Sequence, residues 1–75
     1  MIRVRAFARY RESLGFEQLE LDLPEPAVLG TLLDQPRFGA LPAEALLAVN
    51  QAFAQRDTPL RDGDEVALMP PVSGG

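Results

Sequence analysis

The residues most suited to take part in a chemical reaction are the last six of the sequence. They read Pro70-Pro71-Val72-Ser73-Gly74-Gly75. Proline fixes φ and has no amide proton, so the two prolines predict the end of a sheet ladder after a strand at residues 65–69. No side chain beyond Val72 is larger than serine, and four extended residues reach roughly 13 Å at ~3.3 Å each. We therefore predict a folded domain over residues 1–69 and an extended tail over residues 70–75 that presents the Gly75 carboxylate to a narrow channel.

Composition removes most other chemistry from the chain. The 75 residues include no cysteine and no histidine, which removes thiol nucleophiles, thiolate metal sites and the commonest general base. Asp62-Gly63-Asp64 lacks the further ligands of a calcium loop, so we expect no metal site and no cofactor bound by this chain. A net charge of −4 argues against nucleic acid or an anionic membrane as partner. The start lacks the apolar region of a signal peptide, and we expect a cytoplasmic protein.

Alternation of polar and apolar residues predicts three strands. Residues 1–7, 17–23 and 65–69 place apolar side chains at every second position, with charged or polar residues between them. The positions expected to face inward are Ile2, Val4, Ala6, Leu19, Leu21, Leu23, Val66 and Leu68. This parity places Phe7 on the solvent face of the first strand, together with two arginines.

The residues between these strands predict two helices and a hairpin. A short helix over residues 8–14 ends at Gly15, which suits the left-handed conformation that follows a helix. The main helix spans residues 27–35, with Val28, Leu29, Leu32 and Leu33 on its apolar stripe, and Pro36 ends it. A buried strand (45–49), the Asn50-Gln51 turn, a short return strand (52–55) and a second turn (57–60) follow. We predict an α+β domain, a mixed sheet with one main helix packed on one face and a short helix after the first strand.

The first and last strands are expected to lie side by side and parallel at the centre of the sheet. This arrangement brings Phe7 and Met69 together on the face away from the helix, and Phe53 on the return strand joins them. Three large apolar side chains beside the start of the tail predict a docking patch for a partner. The alternative is a set of scattered apolar side chains, which protein surfaces normally carry.

Several short motifs along the chain match one family pattern. They are Phe7-Ala8-Arg9, Ala48-Val49-Asn50-Gln51, Asp62-Gly63-Asp64-Glu65-Val66 and, most specific, the Pro-Pro-Val-Ser-Gly-Gly ending. On these motifs the chain resembles, nearly end to end, the small sulfur-carrying subunits of molybdopterin synthase, which are ubiquitin-like β-grasp proteins. Three positions depart from the pattern: Val28 replaces a helix-capping threonine or serine, Pro36 shortens the helix, and Tyr10 replaces a leucine. A missing cap destabilises a helix by roughly 1 kcal/mol.

The resemblance implies a reaction carried by the tail. An E1-like activating enzyme, using ATP and Mg²⁺, adenylates the carboxylate of Gly75, and a persulfide enzyme supplies the sulfur of a terminal thiocarboxylate. The tail then enters the large, catalytic subunit of a heterotetramer and gives its sulfur to cyclic pyranopterin monophosphate, in molybdenum cofactor biosynthesis. By this resemblance the chain is not an enzyme by itself. The residues implied to act are Gly75 and Gly74 in the chemistry, and Phe7, Phe53, Met69, Pro70, Pro71, Val72 and Ser73 in partner binding.

Other functions stay open at this point. Carriers of the same fold serve tRNA or thiamine thiolation, although the Pro-Pro-Val-Ser tail counts against the thiazole of thiamine. A ubiquitin-like protein modifier is a second class. All seven basic residues are arginine, so such a modifier has no lysine side chain on which to build chains of itself. A passive interaction domain with an accidental Gly-Gly ending is a third.

Overall fold

The computed structural model describes residues 1–71, and Val72, Ser73, Gly74 and Gly75 lie outside the described residues. Within residues 1–71 the chain forms seven strands, two α-helices and one turn of 3-10 helix. In order they are β1 (Ile2–Ala6), α1 (Arg9–Leu14), β2 (Gln18–Leu21), β3 (Ala27–Val28), α2 (Leu29–Leu33), the 3-10 turn (Pro36–Phe38), β4 (Leu46–Val49), β5 (Ala52–Phe53), β6 (Pro59–Leu60) and β7 (Glu65–Met69).

Five of the strands form one mixed sheet in the order β2-β1-β7-β4-β5. Strands β1 and β7 run parallel, with Val4 opposite Val66, and every other neighbouring pair is antiparallel. The first and last strands of the chain therefore lie side by side, with β7 at the middle of the sheet. The predicted mixed sheet and its central parallel pair are confirmed.

The core lies between one face of this sheet and the helices. The alternating residues of β1 and β7 supply the sheet side of the core, and Leu29, Leu32 and Leu33 of α2 cover it. The short helix α1 contributes Tyr10, which is 1% exposed and whose hydroxyl has no hydrogen-bond partner among residues 1–71. Gly15 follows α1 with a φ of 83°, as predicted, and its amide donates to the carbonyl of Arg11. The predicted α+β architecture, with the helices on one face, is confirmed.

The helix predicted over residues 27–35 differs from the structure at both ends. Helix α2 has five residues, one fewer than α1. The two residues before it, Ala27 and Val28, instead pair antiparallel with Leu60 and Pro59 in a two-stranded ribbon. The turn predicted over residues 57–60 is therefore wrong in its second half, which is strand β6.

Helix α2 begins later than predicted because backbone groups distant in sequence cap its start. Val28 occupies the N-cap position in an extended conformation and makes no side-chain cap. The first two amides of the helix donate instead to the carbonyls of Thr58, at 2.8 Å, and Arg56, at 2.7 Å. A chain held to that neighbouring segment begins its helix at Leu29. Val28 is consequently 37% exposed and does not belong to the predicted apolar stripe.

Candidate docking surface at the base of the tail

A row of four side chains crosses the sheet on the face away from the helices. Arg5 of β1 lies opposite Ala67 of β7, Ala67 lies opposite Ala48 of β4, and Ala48 lies opposite Phe53 of β5. Side chains at directly opposed positions share one face of a sheet. The two alanines at the middle of the row are much smaller than Arg5 and Phe53 at its ends. The row is therefore concave: the two alanines form the floor of a pocket, and Arg5 and Phe53 form opposite walls.

This pocket has a volume of ≈ 350 Å³. Its lining residues are Arg5, Phe7, Ala48, Gln51, Phe53, Glu65, Ala67 and Met69. The three apolar residues predicted to converge, Phe7, Phe53 and Met69, thus line the same pocket. Their role in binding a partner stays a prediction. The prediction missed Arg5 and the alanine floor, although the period-two parity that placed Phe7 on this face also applies to residues 5 and 67.

The wall of the pocket on β1 is an arginine stacked on an aromatic ring. The guanidinium carbon of Arg5 lies 5.1 Å from the centre of the Phe7 ring, within the range of a cation–π interaction. The amide of Phe7 donates to the carbonyl of Leu68 at 3.0 Å, which continues the ladder between β1 and β7 by one residue. Phe7 is half-buried, so its ring is both a wall of the pocket and a part of the folded structure.

The opposite wall is Phe53, whose side chain is presented by a tight hairpin. The two turn residues, Asn50 and Gln51, have φ values of 51° and 70°, the sign that the central residues of a type I′ turn require. The Asn50 side chain fixes this turn by donating to Asp64 Oδ1 at 2.9 Å and accepting from the amide of Glu65 at 3.0 Å. Strand β5 has two residues, shorter than the predicted 52–55, and Phe53 is 80% exposed.

The tail begins at the edge of this pocket. Met69, which lines the pocket, is the last residue of β7 and lies opposite Leu46. Pro70 and Pro71 follow in no regular structure and are half-buried, and the sheet ladder ends where the prolines predicted. The other predicted tail residues, Val72 to Gly75, lie outside the described residues. The division into a domain of residues 1–69 and a tail of residues 70–75 stays a prediction.

Two other kinds of feature, a metal-binding cluster and a membrane-spanning helix, are absent from the described part of the chain. Residues 1–71 contain no group of three or more acidic, histidine or cysteine side chains that could hold a metal ion. Over the same range, no helix has both the length and the apolar character needed to cross a membrane.

The fold and the surface together define a class of protein. A mixed five-stranded sheet with its helices on one face is the ubiquitin-like β-grasp, and here a concave apolar pocket adjoins the start of the C-terminal segment. The chain is thus a ubiquitin-like β-grasp protein with a candidate docking pocket on the sheet face away from the helices. Residues 4–75 match the family model described as the ThiS family, and the chain belongs to that family.

The chain is similar over nearly its whole length to named relatives and to solved structures. The molybdopterin synthase sulfur carrier subunit of Escherichia coli (strain K12) is 38% identical over an alignment of 81 positions, which covers 100% of both chains. The crystal structure of the Haloferax volcanii small archaeal modifier protein 1 has a TM-score of 0.82 at 25% identity, covering 95% of this chain and 97% of that one. A chain from the complex of subunits 1 and 2 of the molybdopterin-converting factor of Helicobacter pylori 26695 has a TM-score of 0.65 at 25% identity, covering 99% and 97%.

Proposed function

We propose that this chain is a sulfur carrier, the small subunit of a molybdopterin synthase. The observation that carries the proposal is the full-length similarity to the sulfur carrier subunit of E. coli, at 38% identity. The H. pylori complex, in which a similar chain is paired with a second subunit, supports a large subunit as the partner. In this function the folded domain is recognised by partner proteins, and the terminal glycine carries the sulfur.

The proposed chemistry takes place at the Gly75 carboxylate. A carboxylate resists substitution because it has no good leaving group. Adenylation by an activating enzyme, with ATP and Mg²⁺ held by that enzyme, releases pyrophosphate and gives an acyl-adenylate. A persulfide sulfur then attacks the carbonyl carbon and AMP leaves. Reductive cleavage of the sulfur–sulfur bond by a thiol leaves a thiocarboxylate, whose sulfur is passed to cyclic pyranopterin monophosphate on the large subunit.

The composition of the chain supports this division of labour. With no cysteine and no histidine, it holds neither the persulfide nor the usual acid–base groups, so we place the catalytic site on the large subunit and regard this chain as no enzyme by itself. Phe7, Phe53 and Met69 are proposed to dock on that subunit, in a heterotetramer, while Pro70, Pro71, Val72 and Ser73 enter its channel. The reaction depends on ATP, which argues for the cytoplasm.

Deletion of Gly75 tests the proposal. The variant should fold as the wild type does, because the glycine has no side chain to pack, and it should transfer no sulfur because the activated carbonyl is withdrawn by one residue. The measurement is molybdopterin formation with reconstituted activating enzyme, persulfide donor and large subunit. Full activity of the deletion variant would exclude a carrier role for Gly75. In native wild-type protein, intact-mass measurement should find a fraction heavier by the sulfur–oxygen mass difference.

A protein modifier is a second candidate function. The observation that favours it is the similarity to the H. volcanii small archaeal modifier protein 1 over nearly the whole chain. A modifier forms covalent adducts with other proteins through its terminus, and these appear as higher-mass bands that depend on Gly75. Carriers for tRNA or thiamine thiolation would also become thiocarboxylates. Sulfur transfer to the pyranopterin in the presence of the large subunit distinguishes a molybdopterin synthase subunit from the carriers for tRNA or thiamine thiolation.

A further inference from the structure

Arg5 has a different environment from the other arginine on the same strand face. On β1, Arg3 lies opposite Glu20 on one side and Glu65 on the other, and its Nη1 is 3.7 Å from Glu65 Oε2. Arg5 lies opposite Gln18 and Ala67, neither of which is charged. Within residues 1–71, arginine side chains form ion pairs at positions 3, 11 and 56 but not at position 5.

The position of Arg5 makes its lack of an ion pair within residues 1–71 consequential. Its side chain is half-buried, stacks on Phe7 and lines the pocket, so any protein that fills the pocket also removes water from the guanidinium. Burying a charge without a partner is strongly unfavourable. Glu65, the acidic residue of the pocket lining, is engaged by Arg3. The partner must therefore bring the compensating negative charge.

We propose that Arg5 is a specificity-determining residue of the docking surface, and that it binds a carboxylate of the large subunit next to the apolar side chain that fills the pocket. The inference rests on the proposed function. The chain has a net charge of −4, so its surface as a whole repels an acidic partner. A single positive group beside an apolar pocket then fixes the orientation of that partner. The planar guanidinium, already stacked on Phe7, is suited to a two-pronged contact with a carboxylate.

The test measures binding of the full chain to the large subunit encoded in the same genome, by calorimetry at low and at high salt. Arg5→Gln should weaken binding about ten-fold or more at low salt, and the difference from wild type should shrink as salt screens the pair. Arg5→Lys keeps the charge but not the planar fork, so its affinity should lie between the two. The matched control is Arg9→Gln, which also removes one positive charge and one arginine–aromatic contact, over Tyr10 at 5.5 Å, but lies outside the pocket lining.

Each outcome of these measurements either supports or overturns the proposed role of Arg5. Equal affinities for Arg5→Gln and Arg9→Gln, or a loss that does not change with salt, would overturn the inference. The inference would also be overturned if Arg5→Gln weakened binding to the activating enzyme but not to the large subunit. If Phe7→Ala loses binding while Arg5→Gln keeps it, the inference fails and the proposed function stands. If the wild-type chain does not bind the large subunit, both fail. Circular dichroism on each variant confirms that the fold is intact, and Arg5→Lys serves should Arg5→Gln not fold.

Discussion

At the scale of single residues, Phe53 is the most direct probe of the proposed docking surface. Its ring is 80% exposed, whereas Phe7 is half-buried and contacts Arg5. Phe53→Ala should therefore leave the thermal midpoint nearly unchanged and weaken binding to the large subunit by roughly 1–3 kcal/mol, the range of an aromatic anchor. Phe7→Ala should lose comparable affinity but also some stability. Calorimetric titration and thermal melts measured on the same samples separate the two effects.

An aromatic residue on the opposite face supplies the control. Phe16 packs against the core and meets Phe38 edge to face, with ring centres 6.1 Å apart. Phe16→Ala should lower the thermal midpoint and leave affinity unchanged at a temperature where the protein is folded. If Phe53→Ala lowers stability and leaves affinity intact, the exposed ring has a structural role and the docking surface lies elsewhere.

At the scale of elements, the start of α2 depends on a glycine. Alanine is usually better than glycine inside a helix by roughly 1 kcal/mol. At Gly30, however, an added Cβ would lie 3.1 Å from the carbonyl oxygen of Arg56, the same oxygen that accepts the Gly30 amide at 2.7 Å. Moving that carbonyl weakens the cap that replaces a side-chain cap. Gly30→Ala should therefore destabilise the protein, by about 1 kcal/mol or more, in urea or thermal unfolding.

A substitution at the next residue, Thr31, separates the steric effect of the added methyl group from the effect of helix propensity. Thr31 is exposed on the same helix, so Thr31→Ala gains propensity without a clash and should stabilise by a few tenths of a kcal/mol. A stabilising Gly30→Ala would show that the loop carrying Arg56 yields to the methyl group. In that case the contact between α2 and this loop does not fix where the helix begins.

At the scale of the whole molecule, the docking pocket and the tail are expected to act separately. Gly74→Val adds a branched side chain that restricts the backbone freedom of glycine, and it leaves the pocket untouched. This variant should bind the large subunit with an affinity similar to wild type. It should be adenylated poorly, or deliver sulfur poorly from chemically prepared thiocarboxylate. Calorimetry, ATP–pyrophosphate exchange and single-turnover transfer measure the three steps. Parallel loss in all three would make the tail itself the main anchor.

The sequence by itself determined the features that depend on local pattern. Burial on one face requires alternation along a strand, and so β1 and β7 could be predicted within about one residue at each end. Gly15 and Asn50 lie where residues that tolerate positive φ are required. Strand β7 ends before Pro70 because proline cannot donate to a ladder. The same parity placed Phe7 and Met69 on the face away from the helices.

Only the tertiary structure decided the features that depend on distant partners. Helix α2 begins at Leu29 because the carbonyls of residues 56 and 58 accept hydrogen bonds from its first two amides. The sequence around Val28 does not indicate that residues so distant along the chain cap the helix. The pairing of β3 with β6 has two residues on each side, too few to show a period. The pocket exists because Ala48 and Ala67, ordinary small residues in sequence, lie opposite each other between Arg5 and Phe53. A concave surface, and an arginine with no ion pair among residues 1–71, are properties of strand register, which the folded sheet sets.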